Sequence, residues 1–152
     1  MDPYRLFVRI TRGTARAERE PDDTPAQAMA VGSAGSRVID GEIDSVGDVD
    51  HYAIDAATDD IAWFVADGDI DRSGDGIDLM LRLLAPDGST SLINGAAGID
   101  SSGASSMPAE AFNFRFTLPG RYYLVVQERN ASDTGAYRLL IDGVAPFADE
   151  FE

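Results

Sequence analysis

The chain has 152 residues, 44% of them hydrophobic, and no cysteine. That fits one folded domain with its own core and excludes a disulfide framework, a zinc–thiolate centre and a thiol nucleophile. A formal net charge of −15 argues against nucleic acid and anionic membranes as partners and favours cations, and no apolar run approaches the roughly 20 residues of a membrane span.

In chain order, Met1-Asp2-Pro3-Tyr4-Arg5 is not a signal peptide, so an exported protein would present this chain as a mature piece or a fragment. Tyr4, Leu6, Val8 and Ile10 then alternate with Arg5, Phe7 and Arg9, which puts two arginines on the other face of an amphipathic strand. The run Tyr4-Arg5-Leu6 returns 133 residues later as Tyr137-Arg138-Leu139, and Glu18-Arg19-Glu20 returns as Glu150-Phe151-Glu152 after 132. One reading is a frame cut from a tandem array, in which residues 146–152 begin the next unit. Another is a spare strand (Tyr4, Leu6, Val8, Ile10) that pairs with a neighbouring copy across the linker 11–17 and builds a filament. The plain reading is an extra edge strand on its own sheet.

Next comes Glu18-Arg19-Glu20-Pro21-Asp22-Asp23-Thr24, echoed by Gly47-Asp48-Val49-Asp50. Four carboxylates in six residues, with Arg19 the single nearby cation, repel one another unless a hard divalent ion sits between them. Calcium takes six to eight such oxygens. A solvated acidic linker is the alternative. Residues 24–31, around Pro25-Ala26-Gln27-Ala28, are expected to form a short helical turn.

From there the period is two. Strands are expected over 37–43, 49–55, 59–66, 77–84, 112–117, 121–128 and 137–142, separated by turns such as Ala85-Pro86-Asp87-Gly88 and Leu118-Pro119-Gly120. Residues 94–109, rich in Gly, Ser and Ala, read as a long loop. About eight short strands with polar turns make an all-β, antiparallel β-sandwich. Trp63, in Ile61-Ala62-Trp63-Phe64-Val65, is expected in the core, with a sugar-stacking platform as the alternative. Between strands, Asp67, Asp69, Asp71, Ser73, Asp75 and Asp78 partly match a calcium loop, but Met80 stands where its closing glutamate belongs. A second metal or an ordinary Asp/Gly hairpin are both open.

The ordered set Glu18-x-Glu20-Pro21-Asp22-Asp23-Thr24, Gly47-Asp48-Val49-Asp50-His51-Tyr52, Pro86-Asp87-Gly88, Gly120-Arg121-Tyr122-Tyr123-Leu124 and Gly135-x-Tyr137-x-Leu139 resembles the bacterial pre-peptidase C-terminal domain, a family similar to the collagen-binding domains of bacterial collagenases. The resemblance covers about residues 18–143. It implies a jelly-roll-like sandwich over 18–145, carried on secreted proteases and other exported proteins. It also implies a calcium ion held by Glu18, Glu20, Asp22, Asp23 and Asp50, with Asp22 serving through its carbonyl and Asp48 or Glu42 as further donors. Two positions depart from the pattern: Asp22 replaces the usual asparagine, and Gly47 replaces an acidic residue.

Catalytic constellations are poor. His51 is the only histidine, no serine sits in a nucleophile elbow, and alternation makes His51 a sheet-face residue. Asn130-Ala131-Ser132 matches a glycosylation sequon and reads equally as a hairpin loop. The sequence therefore points to a non-catalytic, secreted or cell-surface, Ca2+-stabilised module. Its partner would be an extracellular protein, a polysaccharide or a neighbouring copy of itself.

Overall fold

The computed structural model describes residues 14–33, 37–71, 73–93 and 109–144. Tyr4, Leu6, Val8, Ile10 and the segment 146–152 lie outside these, as does almost all of the expected loop 94–109. Among the described residues, nine strands form two sheets: β1 (Arg16–Ala17), β2 (Met29–Ser33), β3 (Arg37–Ile43), β4 (Val49–Ala56), β5 (Ile61–Asp67), β6 (Leu79–Leu84), β7 (Ala109–Arg115), β8 (Gly120–Glu128) and β9 (Gly135–Val144). The larger sheet runs β1-β3-β9-β5-β7 and the smaller β2-β4-β8-β6. Period-two alternation explains the layering. Ile39 and Ile43, Tyr52 and Ile54, Phe64, Leu79, Leu81 and Leu83, Leu124 and Val126, and Tyr137 and Leu139 turn inward and form one core. Burying each such side chain contributes about 1.5–3 kcal/mol.

The sandwich class holds, with one departure from the antiparallel expectation. The two edge strands nearest the N-terminus pair in parallel, β1 with β3 and β2 with β4. Parallel strands cannot be joined by a tight hairpin, so these pairings carry no local turn signal. The expected helical turn over 24–31 is also corrected. Only a single turn forms, closed by the Gln27 N–H donating to the Thr24 carbonyl at 2.9 Å. The chain then extends as β2, because Met29 and Val31 fit the core.

Trp63 is corrected too. It stands on the outer face of the larger sheet and is 49% exposed, while Ala62, Phe64 and Ala66 on the same strand face the core. The continuous apolar run hid which parity was inward. At one end of the sandwich Phe116 packs at a tilt against Tyr122, with ring centroids 4.7 Å apart. At the other end the chain from β1 to β2 crosses from the larger sheet to the smaller, and there the acidic run lies.

Candidate metal centre

The segment 18–23 is fastened to both sheets by backbone bonds. Glu18 N–H donates to the Asp40 carbonyl on β3 at 2.9 Å, and His51 N–H on β4 donates to the Asp22 carbonyl at 3.1 Å. The Glu20–Pro21 peptide bond is cis. These anchors bring Glu18, Glu20 and Asp22 to Asp50 at the inward-facing start of β4. One carboxylate oxygen from each of the four lies within 4.8 Å of the others. Donors on opposite sides of a calcium ion, each bonded at about 2.3–2.6 Å, stand about that far apart.

Among the described residues, no cation pairs with this cluster. Asp22 and Asp50 are wholly buried. Both Asp22 carboxylate oxygens, Asp50 Oδ1 and Glu18 Oε1 accept no hydrogen bond. Glu18 Oε2 accepts the Glu42 backbone N–H at 2.8 Å, and a Glu20 carboxylate oxygen accepts that of Asp22 at 3.1 Å. Deeper in, Tyr137 donates its hydroxyl proton to Asp50 Oδ2, and the Tyr52 hydroxyl lies 2.5 Å from that of Tyr137. Gly41 makes room for this arrangement: a Cβ there would meet the Glu18 carboxylate and stand 2.6 Å from the Tyr137 hydroxyl.

Burial without a counter-charge is expensive, of order several kcal/mol per ion, and it holds the carboxyls in their protonated form. Burial, then the neighbouring Glu20 and Asp22, push Glu18 up to about 8. Burial, followed by the charges of Glu20, Asp48 and Asp23, pushes Asp22 up to about 7. Asp50 rises to about 9, again mainly through burial, against the lowering effect of the Tyr137 hydrogen bond. Near neutral pH the cluster thus needs protons or a cation. Its donor set is all oxygen. His51 lies on the opposite face of β4, with Nδ1 3.3 Å from the Val49 carbonyl and its pKa lowered chiefly by burial. Hard cations suit such a site.

A second group adjoins the first through Glu20, which also converges with Asp44 and Asp48. Asp48 Oδ2 accepts the Asp44 N–H at 2.9 Å across a turn in which Gly47 has φ +89°. Of the sequence-derived ligands, Glu18, Glu20, Asp22 and Asp50 come together, and Asp48 joins Glu20 in the second group. Asp23 is exposed and stands outside both. Asp22 brings its carboxylate to the cluster, and its carbonyl accepts the His51 N–H. Glu42 takes part through its backbone N–H. Sequence reasoning missed Asp44, Gly41, Tyr52 and Tyr137. Asp44 had a usable signal, the spacing Asp44-x-x-Gly47-Asp48 of a tight acidic turn.

The loop after β5 is built differently. Asp69 Oδ1 accepts the Ser73 N–H at 2.9 Å, and Oδ2 accepts the Gly74 N–H at 3.1 Å. Asp71 also accepts from Ser73, Asp67 from the Asp69 N–H, and Arg129 lies 3.9 Å from Asp78. Among the described residues, Asp67, Asp69, Asp71, Ser73, Asp75 and Asp78 supply no group of three acidic donors within ligand distance. The carboxylates of Asp67, Asp69 and Asp71 hold the backbone of an Asx-type loop.

No protein-family model matches the chain, and no curated protein matches it. Solved structures do. The pre-peptidase C-terminal domain of a collagenase from Bacillus anthracis is 24% identical, with 82% of this chain and all of that domain covered and a TM-score of 0.52. PliG of Aeromonas hydrophila, a periplasmic inhibitor of g-type lysozyme, is 15% identical over 77% of this chain and 97% of its own, with a TM-score of 0.55. The chain shares the β-sandwich fold of both.

Proposed function

We propose that the chain is a non-catalytic, calcium-binding β-sandwich module of a secreted or surface protein, serving as an accessory or adhesive domain. One observation carries this reading: four convergent carboxylates, two of them wholly buried, whose free oxygens have no donor to accept from. Glu18, Glu20, Asp22 and Asp50 would hold the ion, and Asp48 with Asp44 would complete the site on the turn side. The ion would clamp the β1–β2 crossing to the first strands of both sheets. Millimolar calcium outside cells keeps such a clamp loaded, and a chain without cysteine has no disulfide to do the same work. The likeness in fold to a collagenase domain and a periplasmic inhibitor is in keeping with a binding module.

Thermal melting in calcium and in chelator tests the proposal. Binding stabilises by RT ln(1 + [L]/Kd), about 2.7 kcal/mol at a hundredfold excess over Kd, or about 5–11 °C for a chain of this size. Glu20 is exposed, so Glu20→Ala should melt like the parent in chelator and lose most of the calcium shift. A parent chain that melts identically in both conditions overturns the proposal.

A further inference from the structure

β7 is the last strand of the larger sheet. Among the described residues its one partner strand is β5, paired from Asp67 with Ala109 to Ile61 with Arg115. Past that ladder the Phe116 N–H donates to the Asp60 carbonyl at 2.8 Å. Bonding alternates along an antiparallel pair. Glu110, Phe112 and Phe114 therefore turn their backbone groups toward β5, as Phe116 does, and Ala111, Asn113 and Arg115 turn theirs to the outer edge. Such an edge is a template for a further strand. Its inward side is apolar, with Phe112 and Phe114 only partly buried at the margin of the core.

Charge and pattern select the occupant. Residues 1–16 carry Arg5, Arg9, Arg12 and Arg16 against the single acid Asp2, a charge of +3. Residues 17–152 carry eight arginines against 26 acids, a charge of −18. The cation that so acidic a body attracts is therefore present at the start of every copy. In that segment Tyr4, Leu6, Val8 and Ile10 share one face. The matching run Tyr137-Arg138-Leu139 lies in β9, with Tyr137 and Leu139 buried and Arg138 exposed. Residues 94–108, which lead into β7, offer only Ile99 and Met107 as large apolar side chains. The acidic loop after β5 begins at the Ala109 end of β7, since Asp67 pairs with Ala109, and its Asp71 and Asp75 are exposed.

Reach decides between one chain and two. Arg16 on β1 stands in a row with Ile39, Leu139, Ala66 and Glu110 across the whole sheet. A strand added beyond β7 lies five strand spacings from β1, about 24 Å. The six steps from Ile10 to Arg16 span at most about 22 Å when taut, and any path over the outer face is longer. The segment falls short of its own β7 edge, whereas the edge of a neighbour is open to it. We propose that residues 4–10 of one copy add to the β7 edge of the next, antiparallel to β7, with Arg9 and Arg12 toward the acidic loop. Donor and acceptor sit at opposite edges of one sheet, so the contact is heterologous and propagates from copy to copy. It does not depend on the metal ion.

Sedimentation of the intact chain in calcium follows the assembly. The expected result is concentration-dependent polymers whose association weakens about tenfold as salt rises from about 0.1 M to 1 M. Proline has no N–H to extend an edge, so Ala111→Pro should melt like the parent and fail to polymerise. A peptide of residues 1–16 should shorten polymers of the unaltered chain, and a scrambled peptide of equal charge should not. This competition needs no folded variant, so it decides the matter if Ala111→Pro melts low. When Ala111→Cys chains are mixed with Arg9→Cys or Arg5→Cys chains, the Arg9 position should cross-link faster. A monomer at every concentration overturns the proposal and marks a strand held by its own chain. Polymers indifferent to salt, to the peptide or to Ala111→Pro overturn it too, as does faster cross-linking at Arg5. None of these outcomes bears on the calcium melting shift.

Discussion

Replacing Asp50 with asparagine separates a metal site from an incidental crowd of acids, because the two predict opposite signs. Asp50 is wholly buried, accepts from Tyr137 on one oxygen and from nothing on the other. Its carboxyl is pushed up to about 9. Keeping it neutral at about pH 7, against an ordinary value near 3.9, costs on the order of 4 kcal/mol. Asparagine is neutral and nearly isosteric, so that cost disappears in the metal-free protein. Against this, asparagine buries two N–H donors where the neutral acid carries one O–H, at a cost of about 1–2 kcal/mol. The net gain is about 2 kcal/mol, a rise of roughly 4–8 °C in chelator. In calcium the order of effects turns over, since the variant has lost a charged ligand and its calcium shift should collapse. Circular dichroism melts in chelator and in calcium read both quantities. A variant that melts lower than the parent in chelator, or one that keeps the full calcium shift, refutes the reasoning.

The same carboxyls set a pH dependence. Raised pKa values for Glu18, Asp22 and Asp50 mean that the folded, metal-free chain binds protons more tightly than the unfolded chain. Their contribution to stability is full below about pH 4 and is lost as pH rises through about 7–9. Melting in chelator should therefore fall over that window, and the calcium-induced shift should widen; a shift independent of pH would contradict it. Asp69→Ala should cost about 1–3 kcal/mol equally in calcium and chelator, because Asp69 serves the Ser73 and Gly74 amides. A loss seen only in calcium would make the loop a metal site after all. Finally, strand exchange through Tyr4, Leu6, Val8 and Ile10 predicts concentration-dependent polymers by light scattering that vanish when residues 1–9 are deleted. A monomer at every concentration ends that reading.

Strands with plain alternation were legible. Leu79, Leu81 and Leu83, and Tyr137, Leu139 and Ile141, point inward as their spacing requires. The parallel edges β1 and β2 were not, since two-residue pairing at Arg16 and Ala17 and a bulged pairing between Ala30 and Gly32 leave little periodicity to read. Of the site, the half contributed by contiguous acids was visible because charge density is local information. Resemblance supplied Asp50, and the structure then set it beside Glu18 and Tyr137. The glycine that admits them, Gly41, looks in sequence like any strand glycine. The Asp/Gly loop stayed ambiguous in sequence for a related reason: the same residue types that coordinate calcium also satisfy backbone amides, and composition does not separate the two uses.

The short parallel strand β1 gains another meaning when the chain is considered as a tether. The stretch from residue 14 to the start of β2 is held by a two-residue pairing, two backbone bonds and the acidic cluster. Let go, its roughly 15 residues would span about 50 Å; clamped, they add almost nothing. A molecule suspended by its N-terminal side would then stand close to its anchor in calcium and drift on a long leash without it. Ion concentration would be converted into distance, with the sandwich itself unchanged.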